Sequence, residues 1–320
     1  MAGALTGIKV IDLSRILAGP FASQTLGDMG AEVLKIEHPS GDDTRQWGPP
    51  FVTRADGSVD AAYFFCCNRN KTSLCLDFSH ADQRAQLLEL IREADVLIEN
   101  YKVGGLAKYG LDYASLKSLN PALIYCSITG FGQTGPYKNR PGYDALIQGM
   151  GGLMSITGEP DGAPQKVGVA VVDLMTGLYA STAILAALHH RSQTGLGQHI
   201  DLAIGNDAQF AAWCRAAGLA LHTDARFITN SVRVQNRALL EQLLHTAMSH
   251  QTIDEWVALG EQHGFPCGPI NSIDRVFADQ QLHSRGMVVG TGSERMVGNP
   301  IRFSDTPITD YEAPPTHERR

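Results

Sequence analysis

The stretch "IKVIDLSRILAGPFASQTLGDMGAEVLKIE", residues 8–37, decides the fold. A β-branched run, 8–13, leads into an Ala- and Gly-rich segment with Pro20 near its start and Gly30 at its end, and a second apolar run, 32–37, follows. Proline suits the first turn of a helix and glycine the residue beyond its last, so the order reads strand, helix, strand. Strands joined by a helix pair in parallel, because the crossover returns the chain to the same end of the sheet. The pattern then recurs: "SLCLDF" (73–78) is a strand, and "ADQRAQLLELIREA" (81–94) is a helix burying Leu87, Leu88 and Ile91. "DVLIEN" (95–100) is a strand, "YASLKSLN" (113–120) a short helix and "ALIYCSI" (122–128) another strand. The expectation is α/β, with a Rossmann-like large domain whose mostly parallel sheet is covered on both faces.

Past residue 128 the texture changes. Two Gly- and Ala-rich helical stretches, about 144–156 and 174–192, precede the strand "GQHIDLA" (197–203). Helices then follow at "DAQFAAWCRAAG" (207–218), "RVQNRALLEQLLHTAMSH" (233–250) and "TIDEWVALGEQHG" (252–264), which places a domain boundary near Ala203.

Composition excludes several functions. With 320 residues the chain has room for two domains. A net charge of -7 and the lack of basic stretches interleaved with aromatics disfavour nucleic-acid binding. The charged fraction of 18% is low for a soluble monomer and fits extensive intersubunit surface. The six cysteines form no CxxC pair and read as reduced packing thiols. The N-terminus lacks the pattern of a secretion signal, and the apolar run 174–188 is short for a bilayer span, so a cytoplasmic protein with no membrane partner is expected.

The common catalytic motifs are missing: no GxGxxG follows the first strand, and there is no GxxxxGK, GxSxG or HExxH. The pair His189-His190 reads as a cap or solvated helix end, and no metal site is expected. The loops after the strands remain, where a parallel sheet gathers its ligands. They place Arg15, His38, Arg45, Asn100, Lys102, Lys108, Lys138 and Arg140 on one rim, a site for a phosphorylated ligand or ordinary solvated surface. Inside "QKVGVAVVDLMTGLYASTAILAAL" (165–188) a single carboxylate, Asp173, interrupts an apolar run. It reads either as the N-cap of an Ala-rich helix or as a carboxylate held ionised at a helix N-terminus and able to act as an acyl-transfer nucleophile.

The wording of the chain resembles the family III CoA-transferases, the formyl-CoA transferase and CaiB/BaiF group. It does so through "GIKVIDLSRILAGPFASQTLGDMGAEVLKIEHPSGDDTR", "NRNKTSLCLDF", "ADVLIENY", "GFGQTGPYKNRPGYD", "VGVAVVDLMTGLYA", "TGLGQHIDLA", "GFPCGPINS" and "GNPIRFSDTP". The resemblance implies that Asp173 is the nucleophile, attacking an acyl-CoA thioester and passing through an aspartyl-CoA thioester. It implies that Ile16, Leu17, Ala18, His38, Leu76, Asn100, Tyr101, Lys108, Tyr109 and Arg140 contact CoA, which is a substrate; no tightly bound cofactor is implied. Tyr143 and Asp144 match a substrate-facing segment, where related α-methylacyl-CoA racemases carry a histidine base. A tyrosine, with an ordinary pKa near 10, serves that role poorly at neutral pH, so transferase is favoured over racemase.

His38, Ser79 and Leu17 depart from the formyl-CoA transferase pattern, and "GDDTRQWGPPF" is closer to members that use succinyl-CoA and other dicarboxylates, with Arg45 a candidate partner for the distal carboxylate. The family architecture implies an interlocked homodimer, a large domain over 1–203, a smaller α+β domain over 204–285 and a C-terminal segment, 286–320, returning to the large domain. Several tens of residues that the family carries after "GQHIDLA" are missing here, including a glycine-rich loop that shields the intermediate in formyl-CoA transferase. A catalytically inactive CoA-binding protein is the remaining alternative.

Overall fold

The computed structural model describes residues 3–54, 56–140, 142–159, 161–203, 217–221, 223–227, 230–263, 267–289 and 296–308. Strands β1 (Lys9–Asp12), β2 (Glu32–Glu37), β5 (Lys71–Cys75), β6 (Val96–Glu99), β7 (Ile124–Thr129) and β8 (His199–Ala203) pair in parallel, in the order β5-β2-β1-β6-β7-β8. A short strand, β11 (Arg302–Phe303), closes the β8 edge antiparallel. The chain winds outward from β1 in one direction and then from β6 in the other, so the topological switch point lies between β1 and β6. In such sheets ligands enter the crevice at the carboxyl ends of the two strands flanking that point. Outside this sheet, among the described residues, β3 (Phe51–Thr53) and β4 (Val59–Ala61) form a short hairpin, and β9 (Val288–Val289) pairs antiparallel with β10 (Met296–Val297).

Alternation along each strand divides the apolar residues between two cores. Val10, Val96, Ile98, Ile124, Cys126, Ile128, Ile200 and Leu202 face α1 (Ala18–Asp28) and α6 (Val171–Thr194), while Ile11, Ile36, Leu97 and Tyr125 face a second core that includes Leu87 and Ile91 of α3 (Ala81–Arg92) and Leu116 of α4 (Tyr113–Leu119). Leu88 is only partly buried beside that core. The strand expected at 73–78 runs instead over 71–75, because it pairs with β2 from Val33 to Glu37; Leu76 and Phe78 fall in the loop beyond it. The helix expected over 144–156 breaks into α5 (Asp144–Met150) and a single 3-10 turn at Leu153–Ile156, with Gly152 between them in the left-handed region.

Later helices are α7 (Asn230–Gln235), α8 (Arg237–Met248), α9 (Ile253–His263), α10 (Ile273–Phe277) and α11 (Gln280–Ser284), so the helix expected over 233–250 is two. Most of the helix expected over 207–218 lies outside the described residues, as does the chain beyond 308. Residues after α11 dock on the sheet: Arg285 Nη1 donates to the Asp201 carboxylate of β8 (3.0 Å), and Gln133 N–H meets the same carboxylate.

Among the described residues, α6 is the helix long and apolar enough to cross a membrane by length and composition. Its Ala180, Ala183, Ile184 and Ala187 are fully buried against the sheet, which makes it a core helix. It lies so close to α1 that a Cβ on Gly177 would stand 2.8 Å from Ala18 O and 3.0 Å from the Phe21 ring. Gly177→Val therefore forces the two helices apart, and urea denaturation should show a loss of about 1–3 kcal/mol. Thr182→Val, on the exposed face of the same helix, should stay within about 0.5 kcal/mol of the parent.

Candidate active site

Asp173 is not the cap of α6. The helix begins two residues earlier, with Ala170 at the N-cap position and no side chain there to satisfy the free amides. The cap comes from another element: Asp144 Oδ1, on the first residue of α5, accepts the N–H of Val172 (2.8 Å) and a longer bond from the N–H of Asp173 (3.4 Å). Gln148, one turn further along α5 and fully buried, holds that cap in place by donating to Asp144 Oδ2 (2.6 Å) while its carbonyl oxygen accepts the Val167 N–H (2.8 Å). The Asp173 carboxylate is thereby released from backbone duty. Among the described residues it receives no hydrogen bond, and the residue is 8% exposed.

Its surroundings raise its affinity for a proton. Burial pushes the Asp173 carboxyl up to about 7, with the nearby Asp144 charge adding to the effect. The expectation that this group is held ionised is thus corrected: desolvation, with the Asp144 charge adding to it, favours the neutral acid. Tyr63, from α2 (Ala62–Phe65), lies close enough that the Asp173 charge, after burial, raises its hydroxyl as well.

The packing of α1 on α6 tells what Asp173 faces. Ser181 Oγ donates to Ala22 O (3.3 Å), and Gly177 abuts Ala18 O, one turn earlier on both helices. Taken back one more turn, this parallel register sets Asp173 opposite the loop 14–17 that enters α1. Leu17 and Ala18 are buried there, and Ile16 adopts a left-handed backbone conformation, φ 74°.

A second group gathers along the carboxyl ends of β1, β5 and β6. The Phe78 ring meets Tyr101 edge-on (5.9 Å between centroids) and Tyr109 likewise (5.3 Å); Arg15 lies 6.0 Å over Tyr101, and the Lys108 ammonium 4.7 Å over Tyr109. Asn100 joins this group to the first loop by hydrogen bonds to Arg15. Leu76 is buried in the core beneath, and His38 is exposed after β2, with Nδ1 on Ser40 Oγ (2.8 Å) and Nε2 3.8 Å from Asp77. Phe78, Tyr63 and Gln148 were not singled out by the sequence: the first was read as the end of a strand, Tyr63 meets the Asp173 charge from far along the chain, and the role of Gln148 shows only once its bonds to Asp144 and Val167 are seen together. Arg140 lies on the Tyr137 ring (3.7 Å), in the loop whose Tyr137 N–H binds Gln281, and Tyr143 occupies the N-cap position of α5.

Arg45 is placed differently from the expectation. Its guanidinium is bidentate to Glu37 (2.8 and 2.7 Å), donates to Asp60 (2.9 Å) and lies 3.7 Å over the Phe64 ring. The Glu37 carboxyl falls to about 2, since bonds from Arg45, Ser73 and the Asp42 amide overcome the larger opposing effect of burial. Arg54 also pairs with Asp60 (2.7 Å), so two guanidinium groups and two carboxylates balance in a structural clamp between β2 and the hairpin, with no charge left over for a substrate carboxylate. Arg15, also counted on the rim, is paired with Asp43 (3.0 Å).

The chain matches the family profile CoA-transferase family III over residues 5–205 and again over 202–320, and it belongs to that family. The succinate–glutarate CoA-transferase of Agrobacterium fabrum is 45% identical over 367 aligned positions, covering 97% of this chain and 92% of that one. The human succinyl-CoA:glutarate CoA-transferase is 36% identical, covering 97% and 83%. The crystal structure of a CAIB/BAIF family protein from Brucella suis is 45% identical and similar at a TM-score of 0.62, covering 98% and 97%. An alignment of 367 positions for 97% of 320 residues leaves several tens of the Agrobacterium protein's positions without a counterpart. The family match divides at 202–205, where the sequence reading placed the missing stretch.

The raised Asp173 carboxyl has a definite sign for stability. Between the unfolded carboxylate range, about pH 4, and about pH 7, the folded chain holds a proton that the unfolded chain has lost, so stability falls as pH rises through this window. Asp173→Asn should therefore raise Tm more at pH 8 than at pH 4.5. Asp144→Asn, which keeps an oxygen for the Val172 amide but removes the like charge, should lower the pKa of Asp173, as read by carboxyl titration in 13C NMR.

Proposed function

We propose that this protein transfers CoA from succinyl-CoA to a second dicarboxylate such as glutarate, with Asp173 as the covalent relay. The single observation that carries this reading is the division of labour at α6: Asp144 satisfies the helix amides, which leaves a buried Asp173 carboxylate with no hydrogen bond among the described residues, on the side of α6 whose register with α1 leads toward the loop 14–17. The dicarboxylate substrates follow the printed activities of the Agrobacterium and human relatives.

The chemistry balances without any further group. An Asp173 oxygen attacks the thioester carbon, the C–S bond breaks, and CoA thiolate leaves a mixed anhydride. The thiolate then attacks the Asp173 carbonyl, releasing succinate and forming aspartyl-CoA. The acceptor carboxylate runs the same two steps in reverse and departs as its CoA thioester. Covalent relay divides one difficult exchange into easier ones, and the ionised fraction of Asp173 sets the rate of the first. The Phe78–Tyr101–Tyr109 group with Arg15 and Lys108 is the candidate seat of the adenine and phosphates, with Ile16, Leu17 and Ala18 lining the path toward Asp173. Distal-carboxylate recognition is not assigned to Arg45, whose charge is already matched.

The exposed apolar stripe of α6, with Met175, Leu178, Tyr179 and Leu185, supports a homodimer, which we read as the interlocked form with domains over 1–203 and 204–285 and a returning C-terminal segment. The stretch missing near 203 supports a second feature. With less shielding over the aspartyl thioester, water competes with the acceptor, and the enzyme hydrolyses succinyl-CoA when no acceptor is present.

Purified protein given succinyl-CoA and glutarate should form glutaryl-CoA and succinate, with kcat/KM rising through about pH 7 and falling by about 10³-fold or more in Asp173→Ala. Equal activity in Asp173→Ala would remove the relay. Size-exclusion with light scattering should give about twice the 34.5 kDa chain mass.

A further inference from the structure

The loop 14–16 is held in an unusual way. Each of its six backbone hydrogen-bonding groups is taken by a side chain from elsewhere. The Ser14 N–H donates to Asp12 Oδ1 (2.9 Å), and Ser14 O accepts Lys35 Nζ (2.8 Å). The Arg15 N–H donates to Asn100 Oδ1 (2.9 Å), and Arg15 O accepts Asn100 Nδ2 (2.7 Å). The Ile16 N–H is shared between both oxygens of Asp42 (3.4 and 3.3 Å), and Ile16 O accepts the Cys67 thiol (3.4 Å).

These side chains are themselves interlocked. Asp12 and Lys35 are register partners on β1 and β2, on the face that carries α1 and α6. Lys35 bonds Asp42 (3.0 Å) and Lys71 bonds Asp12 (3.0 Å), with all four side chains 2% exposed or less. Lys71 also holds Pro20 O (2.8 Å), and Ser23 Oγ of α1 holds Asp12 (2.6 Å). The loop so fixed contains a β-branched residue with φ 74°, a conformation in which Cβ crowds the following carbonyl. Isoleucine remains there only because the surroundings over-determine it.

We propose that Lys35, Asp42 and Asn100 are positioning residues: they clamp the loop 14–16 in its left-handed form, so that the wall opposite Asp173 stands preset for the acyl-CoA thioester. Asn100 spans the switch-point crevice between β1 and β6, and both faces of its amide are committed to Arg15; it acts through that loop. Lys35 is too deeply buried to touch any ligand, so whatever it contributes to turnover passes through the same loop. This inference rests on the transferase reading, and its test has one readout that does not.

The test uses Lys35→Met and Asn100→Ala, each alone and combined with Ile16→Gly. Glycine takes the left-handed conformation without steric cost, so it should keep the loop in place when the clamp is weakened. Amide hydrogen exchange over residues 13–17 is expected to speed up in both single variants, and in Asn100→Ala the rest of the sheet should keep its protection. With succinyl-CoA, kcat/KM is expected to fall by about 5- to 30-fold, the left-handed penalty of isoleucine converted to a rate ratio. Ile16→Gly should restore several-fold of that loss in either background.

Unchanged exchange at 13–17 overturns the clamp whether or not the protein transfers CoA. Lost activity that Ile16→Gly fails to restore also overturns it, since a direct ligand contact or a general packing role would behave that way. If Lys35→Met does not fold, Asn100→Ala decides by itself, because it is half-buried and leaves no charge unpaired. Transferase failure in the parent protein together with fast exchange in the variants would remove the function and leave the clamp.

Discussion

The close seating of α1 on α6 is the constraint on which the site depends. Gly177 lets Ala18 O approach to a distance that no Cβ would allow, and Ser181 repeats the contact one turn later on Ala22. Because the two helices run in the same direction, their N-termini arrive at one place, the carboxyl end of the sheet beside the switch point. One helix delivers Asp173 and the other ends in the loop 14–17. A larger residue at 177 would shift Asp173 relative to the loop 14–17 without altering either. The tight contact therefore transmits sheet geometry into site geometry.

Charge is handled in two contrasting ways around this contact. Under the loop, Asp12, Lys35, Asp42 and Lys71 neutralise one another in the core. There the nearby ammonium groups hold the Asp12 carboxyl well below the usual range despite the larger opposing effect of burial. Breaking one member of such a set leaves a buried charge uncompensated, typically at about 3–5 kcal/mol. At Asp173 the opposite holds: a buried carboxyl faces another carboxylate and no cation among the groups that shift it, so its pKa climbs to about 7. The first arrangement fixes structure, while the second leaves a group ready to form a bond.

Much of this was legible in the sequence, and the failures have physical reasons. The strand at 32–37 and the helix starting at 81 follow from local apolar spacing, and both fall where that spacing puts them. The start of α6 was read three residues late, because Val171 and Val172 favour strands and the side chain that caps the helix, Asp144, lies far back in the chain. Arg45 reads in the sequence as a candidate partner for a substrate carboxylate, since neither Glu37 nor Asp60 can be recognised as its partner from spacing. Phe78 looked like a strand residue until the pairing of β5 with β2 showed the strand ending at Cys75. Asp173 stood out in the sequence through its segment, whereas its freedom from capping could be seen only in three dimensions.

Covalent bonding of Asp173 during turnover, as proposed, would leave a record in its carboxylate oxygens. Let the enzyme turn over succinyl-CoA with glutarate whose carboxylates carry 18O, then digest it and map the peptide containing Asp173 by mass spectrometry. Collapse of the mixed anhydride onto CoA leaves one acceptor oxygen on the aspartate, so a covalent relay places 18O in the Asp173 side chain, even if the thioester itself is short-lived. Glutaryl-CoA formed with no label at Asp173 would contradict it, since CoA would then have passed directly from donor to acceptor.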